Sequence, residues 1–371
     1  MGRQKNISLT IVDCKNHIQW TSIVDSFLEK DIYFTYEYFK SSLAVDEGEP
    51  MLFFFENKHG KIAYPVIKRK IQTNTNLELY DITTPYGYGG PLIEVRTMES
   101  LLISEFREVF NEYCKNNRII SEFVRFHPLL NNYSGLETEM EIVHHSKTIE
   151  IPLQQEDDLL SRIPGKTRNM IRKALKNNVE VRKVEIEDHL EAFMSMYYAT
   201  MDRNQASGYY YFTEEYFRET INLFGPDIHL FGAFLDEKMI SSTLILTKGK
   251  YMHYHLSGSL KEYNHLGANN ILLYTVAQWG DENGIARFHL GGGYSSNEDN
   301  LFKFKKSFTT SQPLQFCIGK KIHDPVFYEM LILEKEITEN TGFFPLYRSL
   351  NRLTDSRPPI NHLLPKQHDA D

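Results

Sequence analysis

The stretch GANNILLYTVAQWGDENGIARFHLGGGYSSNEDNLFKFKKSF, Gly267 to Phe308, carries a glycine-led helix, a strand, a glycine turn and a lysine-dense run without a break. Ile271, Leu272, Thr275, Val276 and Trp279 recur at helical spacing, and Asp281-Glu282-Asn283-Gly284 supplies the frayed end with its terminal glycine. A strand is expected over 285–290, closed by Gly291-Gly292-Gly293. Glycine there admits positive φ and the near approach of a ligand or another backbone, a plain flexible turn being the other reading. The run 302–308 sets Lys303, Lys305 and Lys306 among three phenylalanines. Read as a strand, it places Phe302, Phe304, Lys306 and Phe308 on one face and Lys303 and Lys305 on the other. Either these lysines guard a sheet edge, or at least one of them is turned to a purpose.

Outward from this stretch, the chain repeats itself. Tyr33-Phe34-Thr35-Tyr36-Glu37-Tyr38-Phe39 returns as Tyr211-Phe212-Thr213-Glu214-Glu215-Tyr216-Phe217. The first copy is followed by MLFFFENKHGKIAYPVIKRK, a strand pair with its turn at 57–60, and the second by HLFGAFLDEKMISSTLILTKG, with its turn at 236–238. Each half then offers a strand (77–82; 251–257), a helix (101–116; 270–283) and a closing strand (120–126; 285–290). A meander followed by strand, helix, strand, made twice, predicts an α+β chain of two like halves, each a mixed sheet flanked by helices. The expected divisions are 1–150, 151–320 with a basic helix inside 162–183, and 321–371 as a C-terminal helix with a loose tail from Asp355.

Three further segments suggest chemistry. RIPGKTRNMIRKALKNNVEVRK, 162–183, is strongly basic, and Pro164-Gly165 opens a helix bearing Lys166, Arg168, Arg172, Lys173 and Lys176. Such a helix is either a solvated face or an anion site suited to a pyrophosphate, with Lys166 and Arg168 the chosen contacts. TPYGYGGP, 84–91, combines a fixed backbone path with Tyr86 and Tyr88, whose rings either stack on a sugar or base or turn to the core. In GKYMHYHLSGS, alternation puts Tyr251, His253, His255 and Ser257 on one face, and a neutral imidazole, His255 by preference, accepts a proton from an attacking amine. Water or Asp299 are other acceptors, and His127 is a structural or a catalytic histidine.

The pattern G-A-N-x-x-L-x6-W-x4-G, a strand, a glycine turn and L-x-x-F-K-K-x-F resembles the C-terminal half of the Fem-type peptidoglycan bridge transferases and their relatives among the Gcn5-related N-acetyltransferases (GNAT). The duplication extends that resemblance from about residue 8 to about residue 320. It implies tandem GNAT-like (acyl-CoA N-acyltransferase) domains. It also implies that a lysine of the F-K-K segment, Lys305 or Lys306, stabilises charge at the reacting carbonyl. By the same resemblance Lys166 and Arg168 meet phosphates of a nucleotide- or lipid-linked acceptor, and Tyr86 and Tyr88 line the acceptor cleft with Glu94 as the nearest acidic residue. Acetyltransferases cradle coenzyme A with a Q/R-x-x-G-x-G/A loop at a helix start. Here the corresponding run is Asn264-His265-Leu266-Gly267-Ala268-Asn269, which keeps only the middle glycine, so Asn264, Gly267, Ala268 and Asn269 are the expected coenzyme contacts in a departed form. Fem-type enzymes have lost this loop as well and take an aminoacyl group from transfer RNA.

Composition narrows the class. With 41% hydrophobic and 24% charged residues the chain is a globular one, and a formal charge of -8 argues against general nucleic-acid binding, DNA in particular. Cys14, Cys114 and Cys317 are too far apart for a metal-ligand spacing and read as reduced thiols in a cytoplasmic protein. MGRQKNISLT lacks an apolar signal core, Asn6 spoils a myristoylation pattern, and Met51 to Phe55 is too short to span a bilayer. Membrane contact is therefore at most peripheral, at the inner face, and residues 324–342 read as an amphipathic helix after which aromatic residues cover the core or seat on lipid. The expected activity is N-acylation of an amino group on a cell-envelope saccharide or precursor, with acyl-CoA as co-substrate and no resident cofactor or metal. The alternatives are aminoacyl transfer from transfer RNA to a peptidoglycan precursor, and an inactive GNAT-like binding module.

Overall fold

The computed structural model describes residues 9–294, 298–338 and 342–349. The first half runs β1 (Leu9–Asp13), α1 (His17–Asp25), α2 (Tyr36–Ser42), β2 (Glu49–Asn57), β3 (Gly60–Lys70), β4 (Tyr80–Thr83), β5 (Leu92–Val95), α3 (Glu99–Asn116) and β6 (Ile119–Arg125). A long strand, β7 (Glu141–Pro152), leads to α4 (Leu159–Arg162), α5 (Gly165–Lys176), β8 (Glu180–Val184), α6 (Ile186–Arg203) and α7 (Glu214–Phe224). The second half continues with β9 (Ile228–Leu235), β10 (Lys238–Lys248), β11 (Tyr251–Ser259), α8 (Ala268–Glu282), β12 (Arg287–Gly291), α9 (Asn300–Lys306), β13 (Leu314–Ile322) and α10 (Pro325–Glu334).

The expected duplication is present in the order of the main strands and helices, with β5, which pairs on β3, made in the first half alone among the described residues. In each half an antiparallel hairpin leads to a strand that pairs in parallel with the closing strand, β4 with β6 and β11 with β12, across helix α3 or α8. The second hairpin turns on Asp236 and Glu237, both at positive φ, as a two-residue turn matched to strand twist requires. The halves exchange their last strands. β7 pairs with β12 of the second half, β13 returns to pair with β6 of the first, and the two lie side by side, making one continuous sheet of 13 strands. Residue 150 falls inside β7, so the halves share strands at that division rather than a linker.

Helix α3 lays Leu102, Phe106 and Phe110, four residues apart, onto Phe53, Phe55 and Tyr64. Helix α8 does the same with Leu272 and Val276 on Met252 and Phe288. Full burial of each such side chain contributes about 1.5–3 kcal/mol. The repeated YFT(Y/E)EYF segments form a third core at the joint. Thr35 and Thr213 each accept from the backbone N–H three residues on, at 3.2 Å, starting α2 and α7. The two helices then meet, with the Ser41 and Thr220 hydroxyls 2.8 Å apart.

Two expectations are corrected. The run 302–308 is not a strand: the Asp299 carboxylate accepts from Phe302 N at 2.9 Å and starts helix α9. The C-terminal helix ends at Glu334, short of Gly342. It packs with Phe344 and Tyr347 over Ile71, Leu79 and Ile120 of the first half, and Tyr347 and Arg348 both donate to Asp81. The loose tail from Asp355 lies outside the described residues. No helix of the described residues is long and apolar enough to cross a membrane.

Candidate active site

Lys305 is the buried cation of the lysine-dense run. Because the run is helical as far as Lys306, Phe302 and Lys305 share the inward face of α9, and Lys305 is only 6% exposed. Its Nζ donates to Gly292 O at 2.6 Å and lies 5.6 Å from the centre of the Tyr254 ring. A methyl group added at Gly291 would lie 3.5 Å from that Nζ and 3.7 Å from the Tyr88 hydroxyl, so the glycine turn, Lys305 and Tyr88 converge. Gly293 has a separate reason: a side chain there would meet the Asp299 carboxylate at 2.5 Å and displace the cap of α9. Burial pulls the Lys305 ammonium down to about 7, against a smaller upward pull from Asp299.

Tyr88 links this lysine to a buried aromatic and imidazole cluster. Its ring centre lies 4.9 Å from His289, 5.3 Å from Phe316, 5.2 Å from Tyr33 and 5.8 Å from His127, and burial holds its hydroxyl well above the usual phenol range. Behind it, Asp31, His127 and His253 meet across the joint. Burial alone would raise the Asp31 carboxyl, but His253 and His127 hold it well below the usual carboxylate range. Tyr86 sits apart, packed on Tyr209 at 5.6 Å and Tyr210 at 6.0 Å, with its carbonyl accepting from the Tyr38 hydroxyl at 2.7 Å.

His255 is not part of the alternating face expected for it. β10 pairs Leu244 with Leu256 and Ile245 with Tyr254, leaving His255 as the extra residue of a bulge. Burial, then the neighbouring His253, pushes its imidazole down to about 4. Lys306 is turned away from Lys305 and donates to the carbonyls of Thr309 and Ser311, closing the end of its own helix. Glu94 pairs with Lys61 at 3.2 Å and accepts from Leu28 N, within the first half and without a contact to Lys305 or Tyr88.

The expected coenzyme loop has another use. Gly267 stands at φ 81°, and the Met170 carbonyl of α5 would lie 2.7 Å from a methyl group placed there. Helix α5 thus packs against the start of α8, and the Asn269 side chain accepts from the Ser241 hydroxyl at 2.5 Å. Ala268 is buried, and Asn264 uses its carbonyl to accept from Gly267 N at 3.2 Å. Gly267→Ala is expected to lower stability by about 1–3 kcal/mol, read as a drop in melting temperature, because it adds both a strained φ and an overlap. On α5 itself Lys166 is exposed, whereas Arg168 Nε is buried without a hydrogen-bond partner. Arg162, at the end of α4, donates to Pro152 O at 2.7 Å and leaves its own Nε and Nη2 buried and unpartnered. Sequence reading passed over Arg162, although it opens the basic run.

Known proteins resemble this chain in sequence and in fold. A family model described as an acetyltransferase (GNAT) domain covers residues 165–306. A UDP-N-acetylmuramoylpentapeptide-lysine N(6)-alanyltransferase of Weissella viridescens is 28% identical over 177 residues, 47% of this chain. The chain spans about half the length of that curated relative, 51%. The crystal structure of FemX superposes with a TM-score of 0.67 at 13% identity, over 87% of this chain and 99% of that one. A conserved protein of unknown function from Bacteroides thetaiotaomicron VPI-5482 gives 0.53 at 12% identity, over 85% and 100%. The class defined is a GNAT-like acyltransferase fold made twice. Within it, the proteins that this chain resembles include FemX by fold and the alanyltransferase by sequence.

Proposed function

We propose that the chain is a Fem-type aminoacyltransferase that forms an amide on an amino group of a peptidoglycan precursor, with aminoacyl transfer RNA as donor. The observation that carries the reading is Lys305, a buried cation at the glycine turn that ends β12, beside Tyr88. The amine attacks the ester carbonyl of the aminoacyl group, and the ammonium of Lys305 stabilises the oxyanion that forms. Collapse expels the ribose hydroxyl of the transfer RNA, which takes up a proton as the amine loses one. At about 4, His255 is neutral at working pH but a weak base toward an amine, so its proposed part is to accept a hydrogen bond and orient the nucleophile. Lys306 supports α9 from behind.

The donor is where this reading departs from acyl-CoA. The start of α8, where coenzyme pyrophosphate was expected, is covered by α5 through the Met170 carbonyl, and Asn269 is engaged with Ser241. The relative in Weissella is an alanyltransferase by name, which also favours an aminoacyl group. For the acceptor, a precursor bearing a peptide and a nucleotide or lipid pyrophosphate fits the guanidinium groups of Arg162 and Arg168, with Lys166 at the rim. Arg162→Gln with Arg168→Gln is expected to raise the acceptor KM about tenfold and leave kcat within about twofold, the mark of lost ground-state binding.

The test is a transfer assay on the purified chain with UDP-linked muramoyl pentapeptide as acceptor, comparing radiolabelled alanyl, seryl and glycyl transfer RNA with acetyl-CoA. Label moving from a transfer RNA to the pentapeptide supports the reading. Transfer from acetyl-CoA alone restores the coenzyme reading, and no product from any donor leaves an inactive binding module.

A further inference from the structure

We propose that Asp31, His127 and His253 form a binding site for one divalent transition-metal ion, zinc by the chemistry of the donors, which fastens the two halves of the fold together. The first two residues come from the first half, ahead of α2 and just after β6, and the third from β11 of the second half. This site is independent of the reading of Lys305.

Three observations converge. Each residue offers one donor atom, and the three atoms lie within 4.8 Å of one another. Asp31 and His127 are 0% exposed and His253 is 1% exposed, so the donors point into the interior and away from water. The hydrogen bonding of the cluster is incomplete. Asp31 Oδ1 accepts from Tyr33 N at 3.3 Å, which leaves Oδ2 to both imidazoles. His253 Nε2 meets Oδ2 at 2.7 Å, as one shared proton would arrange it. His127 Nε2 lies 3.4 Å from the same oxygen but is misaligned for a hydrogen bond, and neither nitrogen of His127 has a partner. Buried imidazole nitrogens are ordinarily satisfied.

A divalent ion supplies what one proton does not. Bonded at about 2.0–2.1 Å to nitrogen and oxygen, tetrahedral zinc holds its donors roughly 3.3 Å apart. The His127 to Asp31 separation already has that value, and the His253 to Asp31 separation would open by about half an ångström. Two neutral imidazoles and one carboxylate suit zinc by ligand type. For His253 to bind through Nε2 as a neutral imidazole, the shared proton leaves Nε2 and the ring carries its one N–H at Nδ1, which has no other partner, and a water completes the fourth position. Tyr33, 4.8 Å from the His253 ring centre, and His289, 5.6 Å from it and held by Thr148 at 2.9 Å, wall the site on the side of Tyr88.

The experiment uses the full chain, produced without a metal-affinity tag and dialysed against metal-free buffer, with metal measured by mass spectrometry. About one zinc ion per chain is expected, falling below about a tenth in His127→Gln and in His253→Gln. Stripped protein should melt several degrees lower, regain its transition with zinc but not magnesium, and take up cobalt with the intense visible absorption of a four-coordinate site. Asp31→Asn keeps the Oδ1 that accepts from Tyr33 N but sets an amide NH2 against both imidazoles and so risks misfolding, and cobalt uptake by the unmutated chain decides the matter without it. Metal below about a tenth per chain with no cobalt spectrum overturns the proposal, as does undiminished metal in both histidine variants, which puts the ion elsewhere.

Discussion

Replacing Lys305 by methionine is expected to lower the rate of amide formation about 10²–10³-fold while the folded chain becomes more stable, by about 2 kcal/mol at neutral pH. The two effects have one cause. The site holds a cation in a place where burial disfavours charge, pulling its titration to about 7 from a value near 10.4 in the unfolded chain. Below pH 7 the lysine is protonated in both states, and the cost of burying it is present in full. Between about 7 and 10.4 the unfolded chain binds more protons than the folded one, so this cost is relieved as pH rises. The stability gain of the methionine variant should therefore be greatest at or below neutrality and shrink in alkali, which calorimetry at several pH values would check. Catalysis by the ammonium runs the other way, with kcat falling as pH rises through about 7 in the parent enzyme. A methionine variant that keeps its rate, or a parent enzyme whose rate climbs through that range, would remove the oxyanion role.

How far the residues announced this depends on distance along the chain. The repeat 33–39 and 211–217 revealed two like halves because it copies a helix start, Thr35 and Thr213, and local capping is written locally. The motif singles out Lys305 but misplaces its surroundings: F-K-F-K-K alternates like a strand, and Asp299 decides for a helix by accepting at Phe302 N. His255 was assigned to the wrong face because one extra residue in β11 breaks a period of two. Gly267 looked like a remnant phosphate loop, whereas its φ and the Met170 carbonyl make it a packing residue between α5 and α8. The cluster of Asp31, His127 and His253 was invisible, since Asp31 and His253 stand 222 positions apart and only the joint of the halves brings them together. The exchange of β7 and β13 lay equally beyond a reading of local pattern, because which edge accepts a strand is a property of the assembled sheet.

The other large effect expected is at Arg107, buried on α3 in the first half. Its guanidinium donates to both oxygens of Glu122, at 3.0 and 2.9 Å, and the carboxylate also accepts from Tyr64 at 2.9 Å and pairs with His323 at 3.0 Å. One buried anion thus joins α3, β3, β6 and the segment after β13, elements drawn from both ends of the chain. Arg107→Met leaves that charge in the interior with two weaker partners and should cost about 3–5 kcal/mol, whereas Arg107→Met with Glu122→Leu should recover most of the loss. Burial alone would raise the Glu122 carboxyl, but the charge of Arg107, with hydrogen bonds from His323 and Arg107, holds it well below the usual carboxylate range. Its contribution is therefore present in full above about pH 5 and lost as pH falls below the unfolded carboxyl value of about 4.3, so the parent chain should lose stability in acid more steeply than the double variant. The rate per folded molecule should be unchanged in Arg107→Met, because the groups proposed to meet substrate lie at the ends of β12 and α9. A variant that melts early yet turns over normally, beside Lys305→Met, which should melt late yet barely turn over, would separate what holds this fold together from what makes it an enzyme.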